Sequence, residues 1–69
     1  MSNFKTLVVL PVDQEPLVEV YYRETEIADL QTSNGQLIIR LYGGLFGDVS
    51  FPYDEFVSIL DSARQRLEG

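Results

Sequence analysis

Sixty-nine residues make one domain with a small core, since a chain this short buries only about 60% of the surface its unfolded form exposes. The absence of cysteine and histidine removes disulfides, thiolate nucleophiles, the commonest general base and the usual zinc ligands. Eleven acidic residues against five basic ones give a formal charge of -6, which repels phosphate backbones and anionic lipids and disfavours nucleic acid and membrane as partners.

The N-terminal apolar run, KTLVVL at residues 5–10, ends at Pro11 without a small-residue cleavage site. It reads as a continuous β-branched strand, central or covered on both sides, rather than as a signal segment. No stretch approaches the roughly 20 apolar residues of a membrane span, so a soluble, cytoplasmic protein is expected. Residues 12–16 read as a turn. A second strand at 17–23, LVEVYYR, places Val18, Val20 and Tyr22 on one face and Leu17, Glu19, Tyr21 and Arg23 on the other.

A third strand is expected over 26–32 and a fourth over 37–42, joined through Ser33-Asn34-Gly35-Gln36. Asn-Gly suits a two-residue type I′ turn because both residues tolerate positive φ. That turn pairs Ser33 with Gln36, Leu30 with Ile39, Asp29 with Arg40 and Ala28 with Leu41. One face then carries Ala28, Leu30, Leu37, Ile39 and Leu41 as core, and the other sets Asp29 against Arg40. For Val20 and Tyr22 to share the core face, a three-residue loop Glu24-Thr25-Glu26 is expected, with Tyr22 opposite Ala28.

The stretch LYGGLFGDVSF at 41–51 lacks the Lys and Ser/Thr of a phosphate-binding loop. Gly43, Gly44 and Gly47 are expected at positive-φ positions of a hairpin leading to a short fifth strand at 48–51. Leu45 and Phe46 either cap the core or form an apolar tip for a partner. From Tyr53 to Leu67, apolar residues at 53, 56, 57, 60, 63 and 67 form one helical stripe. Pro52 precedes its first turn, Asp54 and Glu55 sit near the N-terminus, and Arg64 and Arg66 near the C-terminus.

The expected architecture is α+β: an antiparallel meander of four to five strands with one C-terminal helix packed on one face. The other face is left open. Its expected occupants are Leu17, Ile27 and Gln31, with Tyr21, Ile38 and Tyr42 at an apolar centre and Glu19, Arg23, Asp29 and Arg40 as a charged rim. With Leu45 and Phe46 these form the candidate partner-binding set. The acidic pairs Asp54-Glu55 and Glu24-Glu26 read as helix-start and turn residues, no catalytic or metal motif is present, and neither an enzyme nor a cofactor is expected.

The expectation is therefore a small acidic protein-binding module, an inhibitor or neutraliser of the immunity-protein, antitoxin or phage-inhibitor type, which meets a basic partner protein through the open face. The strand-then-helix order also resembles, in topology alone, the single-stranded nucleic-acid-binding folds of transcriptional coactivators and purine-rich-element-binding proteins. That resemblance implies a basic groove with aromatic platforms, and Glu19 and Asp29 oppose it. A homodimer that buries the open face is the remaining alternative.

Overall fold

The computed structural model describes residues 3–42 and 50–69. Four strands, β1 (Phe4–Val9), β2 (Leu17–Tyr22), β3 (Thr25–Ser33) and β4 (Gln36–Leu41), form one antiparallel sheet in the order β1-β2-β3-β4, and helix α1 (Tyr53–Glu68) packs on one face. This is the α+β meander expected from the chain. The Asn34-Gly35 turn has both residues at positive φ, 53° and 79°, and sets the β3–β4 register residue for residue as the sequence requires.

The β2–β3 connection takes a different route. Arg23 and Glu24, with φ of 49° and 69°, form a two-residue turn that pairs Tyr22 with Thr25, in place of the expected Glu24-Thr25-Glu26 loop. Carried on without interruption, that turn would put Asp29 opposite Val18, on the core face. A β-bulge prevents it: Tyr21 pairs with Glu26 and Val20 with Ala28, so Ile27 is an extra residue without a partner on β2. Val18 and Val20 thereby share a face with Ala28 and Leu30, but two residues out of the expected register. Ile27, expected on the open face, instead enters the core at 5% exposure.

Three further expectations are corrected. β1 is an edge strand with Leu7 and Val8 exposed, not a central or doubly covered one. Of the expected fifth strand, Ser50 and Phe51 are not extended-sheet residues, and the remaining residues lie outside those described, as do Gly43, Gly44, Leu45, Phe46 and Gly47. The helix matches its expected span, but Tyr53 and Val57 face away from the core while Ile59 turns toward it.

The core gathers Phe4, Val18, Val20, Ile27, Ala28, Leu30 and Ala63, with Tyr22, Phe51, Phe56, Ile59, Leu60 and Leu67 around it. Aromatic rings close one end of it. Phe4 lies 4.8 Å from Tyr22 and 5.4 Å from Phe51 between centroids, and Phe51 stacks on Phe56 at 5.3 Å. The fixing of Pro52 at φ -58° and the amide of Phe56 donating to the Pro52 carbonyl at 3.0 Å start the helix there.

A helix is about 10 Å across and strands stand about 4.8 Å apart, so one helix spans two to three strands. Here α1 lies over β1, β2 and part of β3. The fourth strand is left uncovered: Leu37, Ile39 and Leu41, expected in the core, are 44%, 42% and 66% exposed.

Candidate functional site

Alternation along each strand sets which side chains line the face away from the helix. β2 contributes Leu17, Glu19 and Tyr21, β3 contributes Glu26, Asp29 and Gln31, β4 contributes Ile38 and Arg40 with Tyr42 just beyond, and β1 adds Lys5, Leu7 and Val9. The bulge decides the carboxylate arrangement. The turn sets Glu26 opposite Tyr21 and the bulge then sets Glu19 directly opposite Asp29, which brings three carboxylates together on one small face.

Opposed like charges are unfavourable unless each finds a donor. The Tyr21 hydroxyl donates to Glu19 Oε1 at 2.7 Å. Arg40 closes on Asp29 with two hydrogen bonds, Nε to Oδ1 at 3.1 Å and Nη2 to Oδ2 at 2.8 Å, and the Tyr42 hydroxyl donates to the same Oδ2. Asp29 is only 3% exposed under this cover. It sits at the centre of the face rather than on its rim, because Arg40 and Tyr42 fold across it.

These contacts set the charge states. Burial pushes the Asp29 carboxyl up, but hydrogen bonds from Arg40 and Tyr42 and the attraction of the guanidinium outweigh it and hold Asp29 below the usual carboxylate range. Arg40 is driven further up by its hydrogen bond to Asp29. The bond to Glu19 raises Tyr21 to about 12, and the bond to Asp29 raises Tyr42 to about 12. Glu26 is raised by partial burial and by repulsion from Glu19 and Asp29. At neutral pH Asp29 is therefore ionised and both phenols of the face keep their protons.

Of the nine residues expected to meet a partner, Glu19, Tyr21, Asp29, Ile38, Arg40 and Tyr42 are brought onto this one face. Arg23 is not. It occupies the β2–β3 turn, with its guanidinium 5.4 Å from the Tyr22 ring, whose other neighbours are Phe4 and Phe51 of the core. Leu45 and Phe46 lie outside the described residues. Glu26, taken for a turn residue, escaped the sequence reading, as did Leu7 and Val9 of β1, while Lys5 joins the face as a positive charge with its ammonium 5.6 Å from the Tyr21 ring centroid. The Arg23-Glu24 turn leaves no composition signal and so hides Glu26, while the β1–β2 pairing sets Lys5 beside Tyr21.

No group of three or more acidic side chains among the described residues is arranged to hold a metal ion. No helix among them is long and apolar enough to cross a membrane. Comparison with protein-family models, with curated proteins and with solved structures finds no significant match.

Proposed function

We propose that this chain is a small acidic, non-catalytic protein-binding module of the inhibitor or neutraliser type, which engages a basic partner protein through its open sheet face. The observation that carries the reading is the row of Glu19, Glu26 and Asp29 held between Tyr21 and Tyr42 on a face that no described element covers. Such a row attracts cationic side chains from a distance and gives them ring faces on contact. Lys5 over Tyr21 is the same contact made within the chain. A partner's lysines and arginines find Glu19 and Glu26 beside it, whereas phosphate backbones meet repulsion there, which favours the reading of a basic protein over nucleic acid as ligand.

The test is capture from host extract by the immobilised chain at low and high salt, with Tyr42→Ala and the double variant Glu19→Gln/Glu26→Gln in parallel. The expected result is a retained basic protein that is released by salt and weakened by both variants. Retention of no protein sensitive to both salt and these substitutions overturns the reading.

A further inference from the structure

The two sheet edges are built differently. β1 carries Lys5, runs out toward Pro11 and lies under the helix, all of which oppose pairing with another strand. β4 has none of these devices. It contains no proline, lysine or bulge, its six residues are all exposed, and among the described residues no strand pairs with its outer edge.

Its outward hydrogen-bonding groups follow from the hairpin. The closing pair of the two-residue turn is Ser33–Gln36, and the Tyr42 amide donates to the Ile27 carbonyl at 2.9 Å, so the even-numbered residues of this strand bond inward to β3. The outward N–H and C=O groups therefore belong to Leu37, Ile39 and Leu41. These same residues project their side chains on the helix side, where the helix fails to cover them.

We propose that β4 pairs antiparallel with β4 of a second copy of this chain about a two-fold axis through Ile39, perpendicular to the sheet, to make one continuous eight-stranded sheet. The strand is self-complementary in this register. Ile39 faces its own copy and Leu37 faces Leu41 of the copy, so every outward N–H meets an outward C=O, with two hydrogen bonds at each of those pairs. Arg40, the strand's single charge, falls opposite Ile38. Sliding the copy by one pair in either direction loses a bonded pair, and one of those slides sets Arg40 against Arg40. In the favoured register the apolar row Leu37-Ile39-Leu41 continues into its copy between the two helices, closing the groove lined by Leu30, Leu37, Ile39 and Leu60 with Asp61 and Arg64 on its helix side.

This pairing does not rest on the open-face reading. The two-fold axis leaves both open faces on the same side of the joined sheet, so either proposal stands if the other fails.

Sedimentation equilibrium of the native chain from micromolar to millimolar concentration tests it, with amide exchange followed in parallel. The expected mass rises from 7.9 kDa toward twice that value, and exchange at Leu37, Ile39 and Leu41 slows severalfold as it does. Ile39→Lys sets two ammonium groups on the axis and holds the chain monomeric throughout. In the cysteine-free chain, Ile39→Cys cross-links to its own copy on mild oxidation, because bonded antiparallel pairs stand about 5.5 Å apart between Cα atoms, within disulfide reach. Leu37→Cys does not, since its copy lies about four residues away along the strand. A mass that stays monomeric at millimolar concentration, a dimer without slowed exchange at those three amides, or cross-linking at Leu37→Cys in place of Ile39→Cys overturns the proposal.

Discussion

Arg40 lies directly across the β3–β4 pair from Asp29 and grips both of its carboxylate oxygens, while its own side chain remains 64% exposed. The carboxylate is thus desolvated on one side and capped on the other. Replacing the charge removes three charge-assisted hydrogen bonds at once. Asp29→Asn is expected to lower stability by about 1–3 kcal/mol, read from the urea midpoint. Arg40→Met should cost less than Asp29→Asn, because Tyr42 still donates to the carboxylate and water reaches the vacated side.

Ile27 distinguishes the observed register from the one that its sequence neighbourhood suggests. On an open face its truncation would scarcely matter. In the bulge it is buried, and Ile27→Ala should cost about 2–4 kcal/mol, also by urea unfolding.

The β2–β3 turn puts Arg23 and Glu24 in the left-handed region, which costs side-chain-bearing residues about 1 kcal/mol each. Arg23→Asn/Glu24→Gly copies the chemistry of the Asn34-Gly35 turn and should raise the thermal midpoint, with a gain of about 1 kcal/mol. A loss of stability would show that the Arg23 contact with the Tyr22 ring outweighs the turn strain.

Alkaline pH acts on the two phenols of the open face. Tyr21 and Tyr42 ionise near 12 in the fold and near 10 when unfolded, so their contribution is fully present below about pH 10 and is lost as pH rises toward 12. Unfolding monitored by circular dichroism should therefore become easier across that window. Tyr42→Phe should flatten the dependence by removing one of the two phenols.

Glu26 behaves with the opposite sign to Asp29 at the acid end. Its folded pKa is raised, so its stabilising form is the protonated one, present below its unfolded pKa and lost as pH rises through the folded value. Asp29, depressed, contributes above its unfolded pKa and loses that contribution as pH falls. Glu26→Gln should stabilise the chain at neutral pH, with the gain fading in acid. An unchanged urea midpoint at neutral pH would contradict the crowding of the three carboxylates.

The β2–β3 and β3–β4 turns are of equal length, and only one of them announces itself. Asn34-Gly35 is legible because its residues pay no steric penalty at positive φ, and with it come the β3–β4 register, the Asp29–Arg40 pair and the placement of Tyr42. Arg23-Glu24 is illegible because neither residue favours that conformation. There the side-chain alternation correctly demands a parity change between Tyr22 and Ala28, but parity can be changed by a longer loop or by a bulge, and the pattern is silent between them.

The order of elements, the helix span and the two-faced character of the sheet were determined by the chain itself, through period-2 and period-3.6 placement of apolar residues that any packed arrangement must respect. Tertiary structure decided the rest. The bulge at Ile27 is selected because it removes Asp29 from the core, and it is this nonlocal choice that sets Glu19 against Asp29 and assembles the carboxylate row. The exposure of Leu37, Ile39 and Leu41 likewise depends on how far a helix of fixed width reaches across the strands, a quantity set by packing of Phe51, Phe56, Ile59 and Ala63 on β1 and β2 and by nothing in β4 itself.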